Sequence, residues 1–231
     1  MRRFWREVSV EPADTGWQVA LDGRMVKTAQ GRAQVVPTRA LGEALADEWR
    51  VQPDEVSPAG FGLRDMADYA IDIVSAEPGD AIRRILAYAQ GETLCYRAEP
   101  DEPLAARQRA IWEPLLNAAE AAHRVRFERV VGILHRPQPA ATLNTLQARL
   151  EALDPFTLAA LQTLSSLAAS LVIGLAALEP GADAETLFTA SNLEEDWQAE
   201  QWGWDYQAEE TRARKLATFV QAARFAVLAR P

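Results

Sequence analysis

The sequence predicts an α+β protein. A small N-terminal antiparallel β domain over residues 1–60 is followed by a larger, mostly α-helical domain over residues 61–231. Three observations carry that expectation. The first forty residues alternate with a period of two and are punctuated by glycine turns. From Thr38 onward the apolar residues recur at helical spacing. Between the first helical stripe and the next, residues 53–62 are broken by Pro and Gly and read as a linker or long loop.

Each element has its own signal. Phe4, Arg6, Val8 and Val10 alternate with Trp5, Glu7 and Ser9, and GWQVALDG sets Trp17, Val19 and Leu21 on one side. Asp22-Gly23 is a hairpin turn with RMVKT as the return strand, and Gln30-Gly31 turns the chain into a fourth strand, AQVVP. Thr38 caps a helix with the stripe Leu41, Ala44, Leu45, Glu48, Trp49. Leu63, Ala67, Ala70, Ile71 and Val74 form the next stripe, then Ile82, Ile85, Leu86 and Ala89. GETLCYRA interrupts the rhythm as an extended piece, and Leu104, Gln108, Ile111, Trp112, Leu115 and Leu116 resume it. Residues 125–133 are β-branched and predict a short strand; HRPQP is a loop. Helices are expected near residues 143–150, 155–178, 184–202 and 208–228.

Composition narrows the class. The chain has 231 residues, 48% of them hydrophobic and 25% charged, as in an ordinary globular protein. Its net charge of −9 disfavours nucleic acid or an anionic membrane as the main partner and permits a basic protein surface. A single cysteine, Cys95, forms no internal disulfide. MRRFWREVSVEP has no apolar core of a secretory signal, and Glu7 and Glu11 argue against a transit peptide, so a cytoplasmic protein is expected. Residues 155–178 carry no charge and are long enough to span a bilayer. Thr157, Gln162, Thr163, Ser165, Ser166 and Ser170 interrupt them, and Asp154-Pro155 is a usual start for a soluble helix. The expectation is one buried central helix.

The chain lacks a Gly-rich phosphate loop and the Gly-x-Ser-x-Gly, Cys-x-x-Cys and His-Glu-x-x-His motifs. His123 and His135 read as surface or boundary residues, and Cys95, in an apolar setting, as a buried small residue. Asp68 and Asp72 share a helix face, which calls for solvation or an Arg partner rather than a metal. One stretch stands apart: LEEDWQAEQWGWD holds three tryptophans and five acidic residues. At about 100° per residue, Leu187, Ala190, Leu193 and Trp197 cluster on one arc, and Glu194, Gln198 and Trp202 form a row beside it. Glu195 and Asp196 point away and read as solvated. The row fits a core edge, with Glu194 bonded to Gln198, and it equally fits a docking surface. Trp204 lies beyond Gly203, where the helix is expected to end.

Several blocks together resemble a known family. RFWREV, LDGRMVKT, VPTRALGEALADEW, YAIDIV, ETLCYRA, the Gln108 to WEPLL element and LEEDWQAEQWG follow the order and spacing of the ATP synthase F1 assembly chaperones dedicated to the alpha subunit, found in mitochondria and alphaproteobacteria. Met25 and Ala29 stand where that family usually has Pro, and FGLR replaces a Met-Pro-Leu-Thr-like segment before the YAID helix. The resemblance implies a non-enzymatic, cofactor-free chaperone that binds the unassembled alpha subunit over its beta-facing surface, here expected to be monomeric. It matches the family's functionally sensitive glutamate to Glu194, with Gln198, Trp202 and Gly203 as companions; the indoles of Trp197 and Trp202 would add contact area. The rival readings are a small-molecule hydrolase using Glu194 or Cys95, and a membrane-associated assembly factor using residues 155–178.

Overall fold

The computed structural model describes residues 2–132, 134–203 and 205–230. The chain forms two compact units: residues 1–78 with 154–160 and 224–231, and residues 79–153 with 161–223. A small antiparallel sheet at the N-terminus precedes a mostly helical remainder, as the α+β reading expects.

In the first unit β1 (Val8–Ala13) and β2 (Gly16–Leu21) pair antiparallel along their whole length. Asp22 and Gly23 both take positive φ, 49° and 75°, the geometry of a tight hairpin turn matched to strand twist. The return strand is shorter than RMVKT: β3 covers Arg24–Met25. The fourth strand, β4 (Val35–Val36), also pairs with β2, so β3 and β4 share one edge of it end to end. α1 (Arg39–Arg50) begins at Thr38, whose hydroxyl accepts the Leu41 N–H at 3.0 Å, and packs on β1 and β2. The approach is close at Gly42, where a Cβ would stand 2.9 Å from Val10 Cγ1. Trp5, Trp49 and Phe61 form a buried aromatic run with centroid spacings of 5.0 and 4.6 Å.

Buried carboxylates join the segments of this unit. Glu48 of α1 accepts the N–H groups of Leu63 (2.7 Å) and Arg64 (2.9 Å), capping α2 (Gly62–Tyr69) from another helix. A single wide π turn, Ala70–Val74, continues α2. Asp68 and Asp72 are both buried, so neither relies on solvation. Asp68 accepts the Ala29 N–H and the Gln34 amide and lies 3.8 Å from Arg64. Asp72 accepts the Thr28 hydroxyl at 2.8 Å and the Gln30 N–H at 3.1 Å. The two aspartates thus hold the chain linking β3 to β4. Asp72→Ala is expected to leave the buried Thr28 hydroxyl without this acceptor and to cost about 1–3 kcal/mol, read as a lower urea midpoint at unchanged slope.

The second unit contains α3 (Pro78–Gln90), whose last twelve residues belong to it, and a 3-10 turn at Thr93–Cys95. β5 (Tyr96–Arg97) follows, then α4 (Pro103–His123). The strand expected over residues 125–133 shrinks to β6 (Val130–Val131), which pairs parallel with β5; Ile133 lies outside the described residues. The rest of this stretch is tied down otherwise: Glu120 accepts the Phe127 N–H at 2.8 Å. His123 is buried rather than at the surface, and burial lowers its pKa. α5 is Ala140–Glu151.

The single helix expected over residues 155–178 is two. α6 (Pro155–Ala168) stops where Ala169 turns to φ 47°, and α7 (Leu171–Ala177) starts afresh. Two groups make the break stable. Ser170 Oγ accepts the Ile173 N–H at 3.0 Å, and Glu92, with no exposure to water, accepts the Val172 N–H at 3.1 Å. Among the described residues no helix is long and apolar enough to cross a membrane. The helix expected over 184–202 is also two, α8 (Ala184–Ser191) and α9 (Leu193–Trp202), divided at Asn192; α10 (Tyr206–Ala229) closes the chain.

Burial raises the Glu92 pKa from 4.5 to about 7, despite the hydrogen bonds that favour the charge. Below pH 4.5 the carboxyl holds its proton in both folded and unfolded chains. Between 4.5 and about 7 only the folded state retains it, so this group's contribution falls as pH rises through that window. Glu92→Gln should flatten the decline of stability with pH there by up to one proton, about 1.4 kcal/mol per pH unit, as read by urea titrations across the window.

Candidate functional site: the α9 face

α9 buries only Leu193, so apolar packing does little to place it. Polar contacts from two neighbouring helices of the same unit do that work. Gln108 of α4 is fully buried; its Oε1 accepts the Ala98 N–H at 2.8 Å and its Nε2 donates to Glu194 Oε1 at 2.6 Å. One turn on, Trp112 Nε1 donates to the Ala190 carbonyl at 2.7 Å. Arg107 makes a bidentate pair with Glu200, 2.6 and 2.7 Å, and its guanidinium stands 5.5 Å from the Trp197 ring centre. That pairing raises the Arg107 pKa and lowers that of Glu200. From the other side, Arg212 of α10 grips Asp196 through two bonds of 2.8 and 2.6 Å.

Glu194, Gln198 and Trp202 lie four residues apart in one continuous helix, so they share a face of α9. Leu187 and Ala190 belong to a different helix, and their arc does not run on into α9. The partner of Glu194 is Gln108, where the core-edge reading expected Gln198. Asp196 and Glu200 are ion-paired, not simply solvated, and Asp196 is part-buried. Trp197 is part-buried, Gln198 is exposed, and Trp202 is 81% exposed. Gly203 ends the helix at φ 87° and ψ 160°, a conformation reserved for glycine, while its N–H bonds the Ala199 carbonyl at 2.8 Å. Trp204 lies outside the described residues.

Two open clefts flank the row. One of about 500 Å³ lies between α9 and α10, lined by Gln198, Trp202, Gly203, Arg212 and Lys215 among others. A second, of about 280 Å³, brings Glu194 together with Thr93, Trp112, Asn192 and Lys215. Neither contains Cys95, which is buried and whose thiol is pushed up to about 12 by desolvation. A thiol so held stays protonated at neutral pH, the less reactive form. Among the described residues no three His, Cys, Asp or Glu side chains come together as a metal site requires.

The arrangement gathers three separate sequence blocks, ETLCYRA, Gln108 to WEPLL and LEEDWQAEQWG, onto one framework. The sequence model of the ATP12 chaperone protein family matches residues 2–120. The chain belongs to the ATP12 chaperone family. It is therefore an ATP12-family assembly chaperone of ATP synthase. It is 24% identical over 214 residues to the mitochondrial protein atp12 of Schizosaccharomyces pombe, covering 87% of this chain and 74% of that one. The crystal structure of Atp12 from Paracoccus denitrificans superposes with a TM-score of 0.94 at 34% identity, over 99% of this chain and 98% of that one. The Atu1473 protein of Agrobacterium tumefaciens gives 0.92 at 34% identity, over 99% and 85%.

Sequence reasoning named the row and the Gln108 block but missed how they are joined. The available signal was Gln108 itself, a polar residue on the apolar stripe that holds Trp112. Because polar contacts position α9, Arg107→Ala is expected to speed hydrogen exchange of the α9 amides selectively, with global stability changing by less than about 1 kcal/mol. Trp202→Ala should leave stability within about 0.5 kcal/mol of the parent, read from the same urea curves.

Proposed function

We propose that this chain binds the unassembled alpha subunit of the ATP synthase F1 sector and shields its beta-facing surface until the hexamer forms. The contact surface is the α9 face: Glu194, Gln198 and Trp202, with Trp197 and Gly203 beside them. One observation carries this reading. Trp202 is 81% exposed at the end of a row whose first carboxylate is held in place by a buried amide. An indole left in water at the edge of a charged helix costs solubility and is a frequent anchor of protein interfaces. The carboxylate supplies register and a salt-sensitive attraction to a basic side chain of the partner.

An unassembled subunit exposes apolar interface and aggregates unless it is covered. A modest amphipathic surface covers it and still yields to a larger, more apolar obligate partner. In this reading the chaperone acts as a cytoplasmic monomer without cofactor or turnover. The family assignment and the curated relative named atp12 support it.

Co-expression with the cognate alpha subunit tests the proposal. The parent chain should keep alpha soluble and co-purify with it, whereas folded Glu194→Lys should let alpha pass into the insoluble fraction. Cys95→Ala should retain the activity, which a hydrolase using that thiol would not. Alpha remaining insoluble beside well-folded parent chaperone would sink the proposal. Unfolding of Glu194→Lys would make Glu194 a structural residue instead.

A further inference from the structure

The chain is acidic overall, yet its positive charge is not evenly spread. Residues 124–136, RVRFERVVGILHR, hold four arginines against one glutamate in a chain of net charge −9. The structure brings part of this segment against β5 and α4. A cleft of about 300 Å³ is lined by Arg97, Arg109, Arg129 and Glu113, with apolar walls that include Pro100 and Val131. Ala105, Arg109 and Glu113 follow one another at four-residue spacing, so they run down one face of α4. Arg107 is turned about 200° from Arg109 on the helical wheel, so this row is distinct from the side that serves α9.

The charges here do not cancel. Glu113 accepts from Arg97 at 3.0 Å and from Arg129 at 2.8 Å. Glu120 pairs with Arg129 from behind and with Arg126 at 3.3 Å. The lining itself holds three arginines against one glutamate, while the exposed Glu99, Asp101 and Glu102 flank its Pro100 wall in sequence. Arg109 is exposed, and among the described residues no carboxylate lies within ion-pair distance of it. Glu113 bridges Arg97 and Arg129, and Arg129 also donates to Glu120, Asn117 and the Phe127 carbonyl, so the open donors of the cleft are those of Arg109 with Arg97 beside it. Val131 is 52% exposed, which adds apolar surface to the lining.

We propose that this cleft binds an acidic peptide segment of a partner protein, with one carboxylate seated on Arg109 beside Arg97. Guanidinium forks match a carboxylate in geometry. Apolar walls suit the aliphatic stem that carries an Asp or Glu carboxylate better than a fully hydrated free ion. The site is separate from the α9 face and stands or falls independently of the role proposed for it.

The test uses a fluorescein-labelled peptide with three glutamates among leucines, read by anisotropy with the full chain. The parent should bind it, a version with glutamine for each glutamate should not bind, and added salt should weaken binding. Arg109→Glu should weaken binding about tenfold or more, and Arg109→Gln by less, both with an unchanged thermal melt. Arg224→Glu, an exposed charge reversal elsewhere, should bind as the parent does. Equal loss in Arg109→Glu and Arg224→Glu would mean diffuse attraction and would overturn the proposal. So would absence of binding to the parent, or displacement of the peptide by inorganic phosphate at equal concentration, which would mark a free-anion site.

Discussion

A carboxylate with no contact to water stands at the start of α7. Glu92 is fully buried, and its oxygens take up the N–H groups of Leu94 and Val172, with Ser170 also bonded to it. Burying that charge is costly, as the upward shift of its pKa to about 7 records. In return a long apolar segment is broken in two. Without a partner for the first N–H groups of α7, a chain turn at Ala169 would leave orphan donors inside the protein. With it, α7 packs against α4, the helix that also carries Gln108 and Trp112. The bracket that holds α9 therefore stands on a framework in which Glu92 is one fixed point.

The first unit applies the same physics elsewhere. Glu48 caps α2 across space, and Asp68 and Asp72 hold the chain between β3 and β4. Short strands of two residues bring few ladder hydrogen bonds, so their connection would fray if left to itself. Buried acceptors on a helix replace the missing ladder. The cost is again electrostatic: desolvation raises the pKa of both Glu48 and Asp68. Here the Arg64 side chain, stacked 5.2 Å from the Trp49 ring centre and 3.8 Å from Asp68, offsets part of it.

This explains what the sequence disclosed and what it hid. Period and turn residues reveal the Asp22-Gly23 hairpin, the Thr38 cap and the α1 stripe, because these features are local. The breaks at Ala169 and Asn192 are invisible to the same reading. Residues 155–178 contain no proline after the first position, and their single glycine, Gly174, lies past the break. The local cap from Ser170 is completed by a second one from Glu92, some eighty residues earlier. The row Glu194, Gln198 and Trp202 was legible because it lies within one helix. Its attachment through Gln108, and the pairing of Asp196 with Arg212, were not, since they depend on which helices become neighbours.

α9 combines features that usually exclude each other. A helix with one buried residue is ordinarily free to fray, and a binding surface ordinarily needs a rigid scaffold. Here rigidity comes from side chains of other helices: a buried amide on Glu194, a fork on Glu200, a second fork on Asp196. These grips engage three of the acidic residues and leave Gln198 and Trp202 outward. Apolar packing would have consumed the indole, whereas ionic and amide contacts fix the backbone while leaving it exposed. Such contacts are sensitive to salt where they are open to solvent, as at Arg107 and Glu200. The helix is thus held in place by polar contacts while Gln198 and Trp202 stay in water. That balance suits the reversible contact proposed for this face.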